Sequence, residues 1–358
     1  MTDESSERAD SPRTSGELVQ EFEELCELLF DAEGYNRVEP SGRATPSTPI
    51  QSPDLLLLHR ESRALAVAEV KLYRSTVISV SLLRNSLNQV QAYQKLYNAS
   101  AGFLIISVPI EPRRIRQAAV ESGVTVWDLK KLTSIAARDP TLGELLSDFI
   151  RRASIGVLSS TSRALTANES LSLSPEIEAK HRIGGQLIQT LENCPPGKGA
   201  STEFERACGA ALQYLFGEEF AMWKPQNQVE EGFHRIDLLA RLAPRHQFWL
   251  GLARDFKTRY VVFEFKNYSE PLPQNQIYTT EKYLFPAALR SVAILVARAG
   301  IDSGARHAIK GALRESGKLM IWITLPELIN MLRDKDAGND PHNMLFDRVD
   351  ELLVDLAR

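Results

Sequence analysis

The sequence lacks the features that mark several large classes of protein. No stretch reaches the about 20 consecutive apolar residues of a membrane-spanning helix, and the polar, acidic N-terminus does not resemble a signal peptide. The three cysteines show no CxxC or cysteine–histidine spacing, so we expect reduced, mostly buried thiols. The six histidines form no HExxH motif, which argues against zinc. A cytoplasmic protein without a membrane partner is therefore expected.

An excess of positive charge is also absent. The net charge of −4 and the pI of about 6.0 argue against a basic protein that coats nucleic acid. They do not exclude a nucleic-acid enzyme, because only the cleft that faces the phosphates must be positive. The segment PPGKG at 195–199 is not expected to bind phosphate, since it lacks the GxxxxGK[ST] pattern and does not follow a strand.

The chain is long enough for two domains. It has 358 residues, 43% of them hydrophobic, and a domain usually takes about 100–200 residues. We predict a disordered tail at 1–15, where no apolar periodicity is present, and a first domain at 16–152. A serine-rich linker is predicted at 153–174, and a linking helix with the second domain at 175–358.

Both halves alternate helices and strands. In the first, a helix that Gly34 would end precedes the strands DLLLLHR and ALAVAEVKLY, a helix over 79–98, and the strands GFLIISV and VTVWD. In the second, a helix precedes strands near HRIDLLARL and RYVVFEFKNY, then a helix around 274–289 and the strands SVAILVA and KLMIWIT. The pattern predicts an α/β fold with a central mixed sheet flanked by helices in each half.

The spacing of individual residues repeats between the halves. The step from Glu23 to Asp54 and the step from Glu205 to Asp237 differ in length by a single position. The steps from Lys71 to Trp127 and from Lys266 to Trp322 are equal in length. The large difference is the step from each Asp to the next Glu, which is much longer in the second half, and we place that excess in a hairpin loop. A tandem duplication of one fold is the simplest interpretation.

Each half offers the same four polar groups in the same order: Glu23, Asp54, Glu69 and Lys71, then Glu205, Asp237, Glu264 and Lys266. Side chains alternate across a strand, so the Glu and Lys of each ExK triplet share one face. Two converging carboxylates repel unless a cation lies between them, and oxygen ligands without Cys or His suit Mg²⁺ or Mn²⁺. A nearby lysine can orient a water or stabilise phosphate charge, which favours phosphodiester hydrolysis over an ordinary solvated ion pair.

These residues resemble the signature of the PD-(D/E)XK nuclease superfamily, of the Mrr-like restriction endonuclease type, in two tandem copies. Pro53-Asp54…Glu69-Val70-Lys71 is similar to the motif, and Asp237…Glu264-Phe265-Lys266 is similar to a second copy. The resemblance implies two tandem restriction-endonuclease-like domains with Mg²⁺ as the usual cofactor. It makes Asp54, Glu69, Asp237 and Glu264 metal ligands and Lys71 and Lys266 the assistants of the attacking water. Glu23 and Glu205 would complete the metal sites.

Several other residues are weaker candidates. Gln89 and Tyr93 resemble the QxxxY element of RecB-like members, although an ordinary polar helix face explains them as well. The second half has no such element, and Gln276 is the candidate substitute. Arg113, Arg114 and Arg116 are expected to be a solvated helix turn rather than phosphate contacts. The longer hairpin of the second half offers candidates to reach into a nucleic-acid groove: Lys257, Arg259 and His246. The two tryptophans at strand ends, Trp127 and Trp322, are expected in the core.

We therefore predict a Mg²⁺-dependent endonuclease that hydrolyses DNA, most simply double-stranded DNA, and the resemblance suggests a role in prokaryotic restriction or antiviral defence. A homodimer or an additional defence-system subunit is kept as a partner class. One alternative is a divided enzyme, in which one domain cuts and the other binds nucleic acid or a ligand. Another is a non-catalytic scaffold, which the two complete sets of four residues argue against.

Overall fold

The computed structural model describes residues 14–39, 52–74, 78, 80–111, 113, 117, 120–153, 176–229 and 234–356. The chain divides into two compact units. The first comprises Met1–Arg74 and Leu87–Ala167, and the second comprises Ser75–Ser86 and Asn168–Arg358. No helix in the described ranges is long and apolar enough to cross a membrane. The predicted tail and most of the serine-rich linker lie outside the described residues, as do Arg114 and Arg116 of the expected helix turn.

The first helix, α1 (Ser15–Ala32), begins and ends where its sequence requires. The Thr14 side chain accepts a hydrogen bond from the Glu17 amide and the Glu17 carboxylate accepts one from the Thr14 amide, so two free helix donors are satisfied. Apolar residues at helical spacing, among them Phe22 and Leu29, are buried against the sheet. Gly34 follows the helix with a φ of +87°, which a side chain would strain.

Five strands form the sheet of the first unit in the order β1-β2-β3-β4-β5. The first three are antiparallel neighbours, whereas β3–β4 and β4–β5 are parallel. Their bounds are β1 Tyr35–Arg37, β2 Leu55–His59, β3 Leu65–Lys71, β4 Ala101–Ile106 and β5 Thr125–Trp127. The helices that follow α1 are α2 Val80–Tyr97, α3 Leu129–Ala136 and α4 Pro140–Arg152. Trp127 is 5% exposed and stacks on Phe30, so its predicted place in the core is confirmed.

The second unit has a sheet of the same order and directions. The strands are β6 Phe220–Val229, β7 His234–Leu242, β8 Tyr260–Lys266, β9 Val292–Ala297 and β10 Leu319–Ile323, in the order β10-β9-β8-β7-β6. The β6–β7 and β7–β8 pairs are antiparallel, and the other two pairs are parallel. Its helices are α5 Glu176–Asn193, α6 Ser201–Phe216, α7 Gln247–Asp255, α8 Gln274–Glu281, α9 Ser303–Ser316, α10 Leu325–Asp336 and α11 Asn343–Val354.

Two expectations for the second half are wrong in detail, and one strand was not predicted. The extra residues between Asp237 and Glu264 are not simply a hairpin loop, because they contain the helix α7. The helix predicted over 274–289 ends at Glu281, and Pro286, which has no backbone N–H, begins a separate short 3-10 turn. Strand β6 was not predicted, because Pro225 interrupts its pattern, yet proline is tolerated on an edge strand.

Candidate functional site

In the first unit, the antiparallel pairing of β2 with β3 brings the ends of the motif together. Leu55 lies opposite Ala68, so Asp54, one residue before β2, reaches the level of the ExK triplet. The Asp54 Oδ2 atom accepts a hydrogen bond of 2.7 Å from the Val70 amide. On the same face of β3, the Lys71 Nζ atom lies 2.6 Å from the Glu69 Oε1 atom.

Burial makes the charged forms of these carboxyl groups less stable. Glu69 is 2% exposed and Lys71 is 3% exposed. Burial raises the pKa of Glu69 to about 7; the Asp54 carboxylate adds to the rise and Lys71 opposes it. Burial, followed by repulsion from Asp54, also raises the pKa of Glu23 to about 7. Since Glu23 and Asp54 interact, the structure brings three carboxyl groups together around one lysine.

The Glu69 carboxylate gives a direct test of whether these residues fit a divalent cation. Its Oε2 atom is buried and forms no hydrogen bond of normal geometry with the described residues, although the Asp54 amide interacts with the carboxylate and lowers its pKa. A buried carboxylate oxygen whose hydrogen bonding is incomplete is costly, and a cation relieves that cost. The donors around it are carboxylate oxygens, which suit Mg²⁺ or Mn²⁺. The residues therefore fit the metal that the motif implies.

Helix α2 brings two weaker candidates to the same place. Tyr93 is buried, and its hydroxyl accepts a hydrogen bond of 2.9 Å from the Gln89 Nε2 atom. Burial raises the pKa of Tyr93 to about 12, and the carboxylates of Glu69 and Asp54 contribute to the rise. Tyr93 therefore lies close enough to the candidate metal ligands to interact with them electrostatically, and Gln89 is hydrogen-bonded to it.

The second unit repeats this geometry. Leu238 lies opposite Phe263, which places Asp237 beside Glu264. The Asp237 Oδ2 atom accepts a hydrogen bond of 2.9 Å from the Phe265 amide, and the Lys266 Nζ atom donates one of 3.0 Å to the Glu264 Oε2 atom. Burial and then repulsion from Asp237 raise the pKa of Glu264 to about 7, although Lys266 opposes the shift.

The buried glutamate of the second unit interacts with the amide of the paired aspartate, as Glu69 does with that of Asp54. In the second unit the Glu264 Oε1 atom accepts a hydrogen bond of 3.3 Å from the Asp237 amide, so both of its oxygens are paired. Burial alone would lower the pKa of Lys266, but Glu264 and Asp237 outweigh burial and the pKa is raised. The lysine therefore stays a cation at neutral pH.

A cavity of about 670 Å³ opens beside the second candidate site. Helix α6 lines it with Glu205 and Arg206, and Asp237 lines it from β7. Glu205 is thus brought to the same cavity as Asp237. Arg206 is exposed in the same lining and forms no ion pair with the described carboxylates, so its guanidinium faces the cavity alongside the two acidic side chains.

Gln276 is not brought into the second site in the same way. It lies half-buried on α8, and its side chain forms no hydrogen bond with Glu264 or Lys266, both of which are described. Tyr283 is buried and interacts electrostatically with Lys266, behind the larger effects of burial, Glu264 and Asp237. Sequence reasoning missed Tyr283 because a gap-free alignment of the halves sets Ala288, not Tyr283, opposite Tyr93.

A second polar cluster in this unit was not expected from the sequence. His246 and His342 stack with ring centroids 3.6 Å apart, and each bonds to one oxygen of Asp340, at 3.1 and 2.8 Å. The other ring nitrogens accept hydrogen bonds from the Phe248 amide and the Trp249 indole. All four nitrogens are therefore occupied, and donors on the far sides fix the protons toward Asp340, which leaves no lone pair for a metal.

The same cluster corrects the expectation that His246 reaches into a groove. His246 is 8% exposed and caps α7 from within the protein. Lys257 and Arg259, named with it, are exposed.

Trp322 is buried at 3% exposure, as predicted, beneath the guanidinium of Arg348 at 4.1 Å from its ring centroid.

Comparison with known proteins gives the class of the first unit. Residues 18–136, about a third of the chain, match the family model described as restriction endonuclease. This segment contains Glu23, Asp54, Glu69 and Lys71. The first unit is therefore a restriction-endonuclease-like domain of the PD-(D/E)XK fold, as its motif predicted.

Individual proteins are similar to parts of the chain. The transposon gamma-delta 80.3 kDa protein of Escherichia coli (strain K12) is 32% identical over 108 residues, which are 29% of this chain and 15% of that protein. The restriction endonuclease FokI aligns with 58% of this chain and 41% of its own, at 11% identity and a TM-score of 0.30. The restriction endonuclease MspJI, solved with a 27-mer oligonucleotide, aligns over 59% and 46%, at 15% identity and a TM-score of 0.28. The chain thus spans less than half the length of each.

Proposed function

We propose that the protein is a metal-dependent endonuclease that hydrolyses phosphodiester bonds of DNA, built from two tandem restriction-endonuclease-like domains. The observation that carries the proposal is the same arrangement in both units. In each, an aspartate accepts a hydrogen bond from the amide between the Glu and Lys of the ExK triplet, and that Lys pairs with that Glu. A role in prokaryotic restriction or antiviral defence fits this activity.

Each candidate site divides the work between its carboxylates and its lysine. Asp54 and Glu69 would hold Mg²⁺ or Mn²⁺ in the first unit, with Glu23 beside them, and Asp237 and Glu264 would do so in the second. The bound cation supplies a Lewis acid for the phosphate and an acidified water. The lysine ammonium orients the attacking water and offsets charge that develops on the phosphate oxygens. The backbone hydrogen bond to each aspartate holds that carboxylate toward the lysine.

The repeat supports a duplication with one site per copy. Both sheets have three antiparallel strands followed by two parallel ones, and in both the ExK strand is the central strand. We assign the first copy to 16–152 and the second, with its linking helix, to 175–358. Two sites in one chain would allow both strands of a duplex to be cut without a second copy of the chain.

Cleavage of supercoiled plasmid with Mg²⁺ or Mn²⁺ tests the proposal. The wild type is compared with Lys71→Ala, Lys266→Ala and the double variant. We expect the wild type to linearise the plasmid, each single variant to nick it, and the double variant to leave it intact. A wild-type chain that binds no Mn²⁺ in calorimetry and leaves the plasmid intact would contradict the proposal and favour a non-catalytic scaffold.

A divided enzyme is the second candidate, and the cavity beside Asp237 favours it. The cavity of about 670 Å³ lies in the second unit, with Arg206 in its lining, and is large enough for a bound nucleotide. In that case the first domain cuts and the second binds nucleic acid or a ligand. The same plasmid assay decides: if Lys266→Ala cuts like the wild type and Lys71→Ala does not cut, the second domain is a binding module.

A further inference from the structure

The strand that carries Lys266 ends in a buried amide that bonds to a distant turn. Asn267, the next residue, is 6% exposed. Its Nδ2 atom donates hydrogen bonds to the carbonyls of Pro195 at 2.9 Å and Gly197 at 3.1 Å. Its own carbonyl accepts a bond of 2.7 Å from the Gly197 amide. Three hydrogen bonds therefore attach the turn at 194–197 to the end of β8.

Arg298 completes the attachment from the neighbouring strand. It is the first residue after β9, and its amide donates a hydrogen bond of 3.0 Å to the Lys266 carbonyl. Its guanidinium donates to the Asn267 Oδ1 atom at 2.5 Å and to the Cys194 carbonyl at 2.7 Å. Because the Asn267 oxygen accepts from Arg298, its NH₂ group must face the turn, and the three bonds are mutually consistent. We call Arg298, Asn267 and the turn at 194–197 the latch.

The latch sets the start of the helix that carries Glu205. Gly197 has a φ of +106°, which favours glycine, and the 3-10 turn Lys198–Ala200 leads directly into α6 at Ser201. The Arg298 guanidinium also lies over the ring of Phe204, 4.8 Å from its centroid. One side chain thus contacts the strand end that follows Lys266, the turn before α6 and the residue adjacent to Glu205.

The first unit lacks this device at the matching position. Ser107 is the first residue after β4, and its amide donates to the Lys71 carbonyl at 3.1 Å, as Arg298 does to Lys266. Its hydroxyl accepts from the Tyr73 amide at 2.8 Å and donates to the Tyr73 carbonyl at 3.0 Å. The Ser107 hydroxyl therefore bonds only to the backbone just after β3. Ser107 provides a matched control for substitutions of Arg298.

We propose that Arg298, acting through Asn267, is a positioning residue for the second candidate site. It fixes the origin of α6 against the end of β8 and so holds Glu205 in a set place relative to Glu264 and Lys266. Partners outside the ligand shell that orient metal ligands affect metal affinity by about 10–100-fold. The inference deepens the proposed function and rests on it, because it concerns metal binding at the same site.

The test measures Mn²⁺ affinity of the second site by calorimetry in the full chain carrying Asp54→Asn, which removes the first site. Arg298→Ala is expected to weaken binding by about 10–100-fold, and Ser107→Ala to leave it unchanged. Arg298→Lys keeps the positive charge but has a single nitrogen, which cannot reach both acceptors, so we expect it to restore part of the loss. In the metal-free chain, amide hydrogen exchange over 194–204 is expected to speed up in Arg298→Ala alone.

A double-mutant cycle separates positioning from general stability. If Arg298 acts through Glu205, the losses in Mn²⁺ affinity from Arg298→Ala and Glu205→Gln are less than additive. Additive losses, or unchanged affinity in Arg298→Ala, overturn the inference. If the chain binds Mn²⁺ but does not cleave plasmid, the proposed function is contradicted, while the Mn²⁺ affinities of the variants still test the positioning role of Arg298. If the second site binds no Mn²⁺, both the proposed function of that site and the positioning role of Arg298 are overturned.

Discussion

At the scale of single residues, the two aspartates have a double role. The Oδ2 atom of Asp54 accepts from the Val70 amide, and the Oδ2 atom of Asp237 accepts from the Phe265 amide. An asparagine can keep that hydrogen bond through its carbonyl oxygen but carries no charge. The structural role and the metal-binding role of each aspartate can therefore be separated by one substitution.

Asp54→Asn is expected to leave the thermal unfolding midpoint nearly unchanged, because the hydrogen bond from the Val70 amide is kept. It is expected to weaken Mn²⁺ binding in the first unit by at least about 100-fold, which exceeds the usual effect of removing a residue that only orients a metal ligand. Asp237→Asn should do the same in the second unit. Calorimetry counts the Mn²⁺ ions bound per chain: each variant should lose half of them. If either variant retains full stoichiometry with wild-type affinity, that aspartate is not a metal ligand.

Arg206 is a candidate to meet a phosphate in the second unit, because it lines the cavity beside Asp237. Removing one phosphate contact weakens DNA binding and reduces the dependence of log affinity on log salt by about 1. We expect this from Arg206→Ala, measured by anisotropy on a short duplex with the Lys71→Ala, Lys266→Ala chain. Arg206→Lys keeps the charge and should keep the salt slope. Arg254→Ala is the matched control, since Arg254 already pairs with Asp255; equal losses in both variants would argue against a contact at Arg206.

At the scale of elements, the His246–Asp340–His342 cluster joins segments that are far apart in sequence. His246 caps α7, and His342 immediately precedes α11. Burial and the neighbouring His246 lower the pKa of His342 to about 4, despite the attraction of Asp340. The interactions of Asp340 with both histidines, which outweigh its burial, lower its own pKa. The cluster therefore favours a neutral imidazole at His342 and an ionised Asp340.

This cluster predicts a loss of stability in acid. An unfolded chain binds a proton at His342 near pH 6.5, whereas the folded unit resists it until about pH 4. Its stabilisation is therefore complete above pH 6.5, and about 3 kcal/mol is lost as the pH falls from 6.5 to 4. The difference in unfolding free energy between wild type and His342→Gln measures this, because contributions of the raised glutamates cancel. A difference that does not change with pH would contradict the prediction.

The type of most elements could be predicted from the sequence, because apolar periodicity and caps act locally. Helix α9, for example, begins at Ser303 because the Asp302 carboxylate accepts a hydrogen bond from the Ala305 amide. Strand β6 was missed because Pro225 lies in it, and an edge strand tolerates a proline. The end of α8 was misplaced because the predicted helix extended past Pro286, which a helix interior does not tolerate. Helix α7 was hidden in an insertion whose length alone suggested a loop.

At the scale of the whole molecule, the net charge of −4 limits how DNA is bound. Only local positive charge can attract the phosphates, so nonspecific affinity is expected to be weak and steeply dependent on salt. We expect binding of a random duplex by the Lys71→Ala, Lys266→Ala chain to fall by about a thousandfold or more between about 50 and 200 mM salt. Tight binding that persists at the higher salt concentration would contradict this.

The sequence by itself determined the repeated α/β pattern, the two ExK triplets and the aspartates paired with them. These follow from periodicity and spacing, because strand alternation places Glu and Lys on one face and a hairpin brings Asp beside them. Only the tertiary structure decided the cavity beside Glu205, the burial of the Glu69 carboxylate, the histidine cluster and the latch at Arg298. Each of these depends on burial or on contacts between residues distant in sequence, as between His246 and Asp340, 94 residues apart, and local patterns do not encode such contacts.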